Sequence, residues 1–195
     1  MTDAFTTLSI IRDEHRRLTA IVRSAEYLTL DAAHRNVAPD AELLGMIFDY
    51  IDSFPDRLHH PKEDEYLFDV LRRQTSELDE ILDELQVEHI RGRALISKLR
   101  GLLVRCRAGG TAVAEELASA VAEYAAFHEK HVRKEEEVVL PMAERLISSA
   151  DWRIASDVFG GPDQLRLAEE FRRLFQLIMR VAPPPVVRLL VSVDL

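Results

Sequence analysis

The sequence predicts an all-α protein: an antiparallel four-helix bundle with a C-terminal helical extension. Leu, Ala, Glu and Arg dominate the chain and are good helix formers, while only seven of its 195 residues are glycine. Four long segments carry apolar residues at steps of three and four, the period of a helix with one buried face. Hydrophobic residues make up 47% of the chain, enough for the core of one domain of ordinary size.

The first segment places Leu8, Ile11, His15, Leu18, Val22 and Ala25 on one stripe and is expected to end near Leu30. The second starts near Pro39-Asp40, where proline suits a first turn. It runs through Ile47, Ile51 and Phe54 to about Arg73. Pro55 and Pro61 lie inside it and should kink or interrupt it, because each removes a backbone donor. The third segment starts near Ser76 and carries Leu78, Ile81, Leu82, Leu85, His89, Ile96 and Leu99, and Gly109-Gly110 then breaks the chain. The fourth carries Leu117, Val121, Tyr124, His128, His131, Glu135, Val138, Met142 and Leu146.

The bundle is thus expected over 1–148 and the extension over 149–195. Within the extension, Asp151 to Val158 reads as a short helix and Gly160-Gly161-Pro162 as a turn. Gln164 to Val181 is amphipathic, with Leu167, Phe171, Leu174, Phe175 and Ile178 on one side, and Pro183-Pro184-Pro185 stops it. The tail from Val186 to Leu195 is mostly apolar. It covers the bundle or contacts a second subunit in a homodimer.

A net charge of −9 argues against nucleic acid as a partner, which needs a basic surface. One cysteine, Cys106, excludes an intramolecular disulfide and a cysteine-held metal site. The polar Met1 to Thr7 does not read as a signal peptide, and no apolar stretch reaches the roughly 20 residues of a membrane helix. The expected compartment is the cytoplasm, with no membrane partner. No Gly-rich phosphate loop or nucleophile motif stands out, so no catalytic residue is assigned and any enzymatic role rests on metal alone.

The chemistry lies in an internal repeat. Glu14-His15 is followed, 44 residues after its histidine, by His59-His60-Pro61-Lys62-Glu63-Asp64-Glu65. Glu88-His89 is followed, 42 residues after its histidine, by His131-Val132-Arg133-Lys134-Glu135-Glu136-Glu137. Each half is a helical hairpin with a lone histidine on one helix and a His-x-x-x-Glu pair on the next. Residues four apart share a helix face, so His59 points with Glu63 and His131 with Glu135. Two carboxylates and four imidazoles facing a core are costly unless a cation is shared among them. The six residues His15, His59, Glu63, His89, His131 and Glu135 therefore form a candidate site for two metal ions. Imidazole plus carboxylate suits iron, and manganese less well. With two six-coordinate ions and an oxo or hydroxo bridge, about two positions stay open to O2, NO, peroxide or water.

These motifs resemble the hemerythrin-like HHE cation-binding domains over roughly residues 5 to 147. The resemblance rests on Glu14-His15-Arg16-Arg17-Leu18, on His59 through Phe68, on Glu88-His89-Ile90-Arg91-Gly92 and on His131 through Glu136. It implies an up-down-up-down bundle with a non-haem di-iron centre. It further implies that His15 and His59 serve one iron, His89 and His131 the other, and that Glu63 and Glu135 bridge. Oxygen-carrying hemerythrins have a His-x-x-x-His pair on the third helix. Here Leu85 and Arg93 flank His89 at that spacing. The set of four histidines and two glutamates is more similar to bacterial di-iron proteins that repair iron–sulfur clusters under nitrosative stress. It implies an open position at each iron.

The expected function is therefore a di-iron protein that binds or reacts with O2, NO or H2O2 in sensing, stress response or iron-centre repair. The alternatives are an iron storage or delivery module and a metal-free helical interaction module. Around the six residues, His128 is read as a core histidine bonded to a backbone carbonyl, or else a ligand or its hydrogen-bond partner. Tyr124 is read as core, His60 as peripheral, His34 as solvated in a polar connection, and Glu136 as an alternative bridging carboxylate.

Overall fold

The computed structural model describes residues 3–108 and 111–191, and these are helical throughout apart from short turns, with no strand. The expected break at Gly109-Gly110 and the last four residues of the tail lie outside the described residues. Helix α1 is Asp3–His34, one turn longer than its pattern suggests, so His34 is exposed in a last helical turn rather than in a connection. Every residue of its predicted stripe, from Leu8 to Ala25, is buried. Asp40 caps the second helix by accepting from the backbone N–H groups of Glu42 and Leu43.

That helix, α2 (41–74), is not broken by its prolines. It runs as Ala41–Phe54, a π turn at Pro55–His59, one α turn at His60–Glu63, a second π turn at Asp64–Phe68, and Asp69–Gln74. Pro61 has no N–H for an ordinary helical bond. The chain absorbs this upstream, where the His60 N–H reaches back to the Pro55 carbonyl.

Helix α3 is Asp79–Ala108, starting three residues later than expected. Helix α4 (111–146) comprises Thr111–Lys134, a π turn at Glu135–Val139 and Leu140–Leu146. The π turn carries one extra residue per turn, and it corrects the expected stripe. Val138 is 38% exposed and Met142 only half-buried, while Val139 and Ala143 take the inward positions at 0%. Pro141 just beyond it supplies the same missing donor as Pro61.

The four helices pack in a ring, α1 against α2, α2 against α3, α3 against α4 and α4 against α1. Among the described residues three further helices follow: α5 (Ser149–Phe159), α6 (Pro162–Val181) and α7 (Pro184–Val191). The prolines after Val181 end α6, as expected, but also start α7, where proline fits the first turn. Helices α5 and α7 pack on α1, and α6 packs on α2. Trp152 and Phe159 of α5, Phe175 and Ile178 of α6, and Val186 and Leu190 of α7 are buried in these contacts. The side chains of Leu167 and Phe171 lie outside the described ones. No helix among the described residues is long and apolar enough to cross a membrane.

Two apolar cores result. One gathers Leu18, Ile21, Phe48, Ile51, Leu99, Leu117 and Val121 with residues of α6 and α7. The other gathers Leu8, Ile11, Phe68, Leu82, Leu85, Val139 and Leu140 with residues of α5. Along α1, His15 falls between Ile11 of one core and Leu18 of the other. A polar layer thus separates two dry ones.

Candidate metal centre

The six predicted residues all lie in that polar layer, each no more than 6% exposed. Their atoms are arranged as two ends sharing two carboxylates. Glu63 Oε1 lies 3.5 Å from His15 Nε2 and 3.3 Å from His59 Nε2, while its Oε2 lies 3.9 Å from His89 Nε2. Glu135 Oε2 lies 3.2 Å from His15 Nε2, while its Oε1 lies 3.2 Å from His131 Nε2 and 3.8 Å from His89 Nε2. Each carboxylate therefore turns one oxygen to the His15–His59 end and the other to the His89–His131 end.

The buried Nε2 atoms of His15, His89 and His131, and all four oxygens of Glu63 and Glu135, make no well-formed hydrogen bond. Seven buried polar atoms without such a bond in one small region would strongly disfavour the fold unless something else compensates them. A cation does so, and the donor set of imidazole and carboxylate fits one. Donor atoms from His15, His59, Glu63 and Glu135 converge within 4.8 Å of one another, and so do those from His60, His89 and His131.

Nδ1 of His15, His59 and His131 each hydrogen-bonds a carboxylate, and Nδ1 of His89 has one within ion-pair distance. Glu14 Oε2 lies 2.9 Å from His59 Nδ1, and Glu88 Oε2 lies 3.0 Å from His131 Nδ1. Glu136 Oε1 lies 3.1 Å from His15 Nδ1, and Asp64 Oδ1 lies 3.4 Å from His89 Nδ1. A carboxylate beside Nδ1 keeps the proton there and frees Nε2 to face inward. Two of these four carboxylates are anchored by lysines: Lys62 on Glu14 at 2.8 Å and Lys134 on Glu88 at 2.6 Å. The repeat carried all of this. A glutamate precedes each lone histidine, a lysine precedes each inward glutamate, and an acid follows it. Glu14, Glu88, Lys62, Lys134 and Asp64 stood in those motifs with no role assigned to them. Glu136, read as an alternative bridge, is instead the partner of His15.

Without a metal, protons carry the compensating charge. Burial alone would lower the His131 pKa, but the negative charge of Glu135, 3.2 Å away, and the hydrogen bond to Glu88 push it up to about 10. Burial likewise opposes the rise at His89, where Asp64 and Glu135 push it up to about 9. His15 is raised well above the ordinary histidine value against the same burial penalty, through Glu135, Glu136 and Glu63. Burial alone would raise the Glu135 carboxyl, yet His131, His15 and His89 hold it well below the ordinary range.

Two further histidines lie beside the six. His128 is buried, and its Nε2 lies 3.0 Å from the Thr19 hydroxyl. Burial and the neighbouring His131 and His15 lower its pKa to about 3, so it is a neutral core histidine. His60 is not peripheral. Its ring stacks on His89, with centroids 3.8 Å apart and 13° between planes. Tyr124 is buried as expected and lines a small cavity next to His15, His59, His89 and His131.

A family model described as the hemerythrin HHE cation-binding domain matches residues 6–143. Among curated proteins, uncharacterized proteins from Mycobacterium bovis and from two strains of Mycobacterium tuberculosis are 27% identical over 119 residues, covering 61% of this chain and 46% of theirs. The matched part is thus a little under half the length of those relatives. No solved structure matches the chain.

Proposed function

Because the chain belongs to the hemerythrin HHE cation-binding domain family, we propose that it holds a di-iron centre and uses it to bind or react with O2, NO or H2O2. The metal ligands are His15, His59, Glu63, His89, His131 and Glu135, in an up-down-up-down antiparallel bundle over 1–148 with an extension over 149–195. The contact ring from α1 through α4 and back supports that topology. The observation that carries the reading is the division of each carboxylate: Glu63 and Glu135 each present one oxygen to one histidine pair and one to the other. Two carboxylates so placed suit a pair of ions with Glu63 and Glu135 as bridges, with an oxo or hydroxo group completing the centre.

Bound iron would supply redox chemistry and positions open to a small ligand. The chain's own contribution is to hold Nε2 of four imidazoles inward through Glu14, Glu88, Asp64 and Glu136, and to exclude bulk water with two apolar cores. Leu85 is fully buried in one of those cores and Arg93 is exposed. Neither can act as the fifth histidine of an oxygen carrier, which favours sensing, stress response or iron-centre repair. Exposed Leu177, Val181, Leu189 and Val191 offer the extension an apolar face for a homodimer.

Metal analysis of the purified chain, with optical spectra of the reduced and oxidised forms before and after NO and O2, tests the reading. About two irons per chain and oxo-bridged diferric bands that respond to these reagents are expected. Fully occupied iron with a spectrum indifferent to reductant, O2 and NO would sink the ligand-binding function. Rapid loss of the iron to a mild chelator would favour storage or delivery instead.

A further inference from the structure

The two-fold repeat is broken at one position beside the centre. His60 follows His59, but the residue that follows His131 is Val132. Both positions are half-buried. His60 lines a surface groove with His89 and Asp64, and Val132 lines one with His15 and Glu136, so the two occupy equivalent places at opposite ends. α2 packs between α1 and α3. Adjacent residues on a helix point about 100° apart. His59 accordingly lies against His15 of α1, with ring centroids 4.8 Å apart, and His60 against His89 of α3.

We propose that His60 is a third imidazole donor for the metal at the His89–His131 end, so that the two metal positions are unequal. The inference rests on the two-metal reading above. One nitrogen from each of His60, His89 and His131 lies within 4.8 Å of the other two. Imidazole nitrogens bind such ions at about 2.0–2.1 Å, so donors on one ion stand up to about 4.2 Å apart. A contraction of at most about 0.6 Å, with a turn of the His60 ring out of its stack on His89, would bring the trio to that spacing. At the other end Val132 has no donor to offer. The His89–His131 position is then the more completely ligated of the two. A vacancy for an exogenous ligand would then remain at the His15–His59 position.

Cobalt(II) titration into the metal-free full chain tests this, read by calorimetry and by the visible cobalt spectrum. Wild type is expected to take two ions with unequal affinities. His60→Val, which copies the other end, is expected to weaken one ion by at least about tenfold, since even outer partners of a ligand cost that much. It should also change that ion's spectrum and leave the second ion as it was. Val132→His is expected to tighten the weaker ion and serves as the deciding variant where His60→Val does not fold. Two bound ions with affinities and spectrum untouched by His60→Val would overturn the proposal while leaving the two-metal reading intact, as would a folded Val132→His that binds like wild type. A wild-type chain that takes fewer than two ions overturns the two-metal reading itself, and this proposal with it.

Discussion

Glu14 accepts a hydrogen bond from Nδ1–H of His59 at 2.9 Å, across 45 residues of sequence. The contact fixes the tautomer, because a proton held at Nδ1 leaves the Nε2 lone pair to face Glu63 at 3.3 Å. Glu14 also neutralises Lys62, which is 3% exposed and lies over the Phe159 ring at 4.6 Å. One carboxylate therefore connects the metal layer to the packing of α5.

Glu14→Gln is expected to act on both. Metal affinity should fall by about 10–100-fold, the usual effect of losing a ligand's outer partner. The metal-free fold should lose roughly 3–5 kcal/mol, because a buried ammonium is left without its counter-ion. Glu88→Gln should match it in metal affinity but cost much less stability. Lys134 is 25% exposed and keeps a second carboxylate, Glu84, at 2.8 Å. Paired metal titrations and urea unfolding of the two variants check this. Equal stability losses would contradict it.

Metal binding should release protons at neutral pH and tighten as pH rises. His15, His89 and His131 are protonated in the metal-free protein, with His89 raised to about 9 and His131 to about 10. A ligating imidazole must be neutral. Calorimetry in buffers of different ionisation enthalpy reads the protons released. The stability of the metal-free protein should move the other way. These folded-state values lie above the unfolded histidine value near 6.5, so their contribution is complete below that pH. It is lost as pH rises through about 9 and 10. A metal-free melting temperature that holds constant from pH 7 to pH 10 would refute the assignment.

His128 has the opposite sign. Its folded-state value of about 3 lies below the unfolded one. Its contribution is complete above about pH 6.5 and is lost as pH falls towards 3, because only the unfolded chain takes up the proton. His128→Gln retains a polar group for Thr19 and removes that titration. The denaturation midpoint of the variant should therefore gain on wild type steadily from pH 7 to pH 4. A difference that does not vary with pH would count against a buried neutral His128.

Leu190 of α7 is fully buried against the bundle. Leu190→Ala should cost about 2–5 kcal/mol, the range for a buried leucine cut back to its Cβ. Metal stoichiometry should stay as in wild type, since Leu190 packs in the apolar core beside α1 and α2 and not against the six inward residues. Loss of metal with retained fold would show that the extension does more than cover α1.

The six inward residues were legible because their signal is one-dimensional. A spacing of four puts His59 with Glu63 and His131 with Glu135 on any helix, and the repetition of the whole pattern marks the two halves. The same holds for the buried stripe of α1, where an unbroken 3.6 period made Leu8 to Ala25 readable in advance. The inward positions after Glu135 were not legible in the same way, because a π turn inserts a residue and hands the core from Val138 to Val139. Periodicity assumes a constant turn, and only packing reveals where that assumption fails, although Pro61 and Pro141 stood in the sequence as the local cause.

What the sequence determined by itself was an all-helical chain with a duplicated constellation of histidine and glutamate, because helical period and local spacing act within one element. Tertiary structure decided which group meets which across elements. It gave Glu14 to His59, Glu136 to His15 and Thr19 to His128, and it set His60 against His89, because those contacts depend on how four helices are rotated and stacked, and no spacing within one helix encodes that rotation.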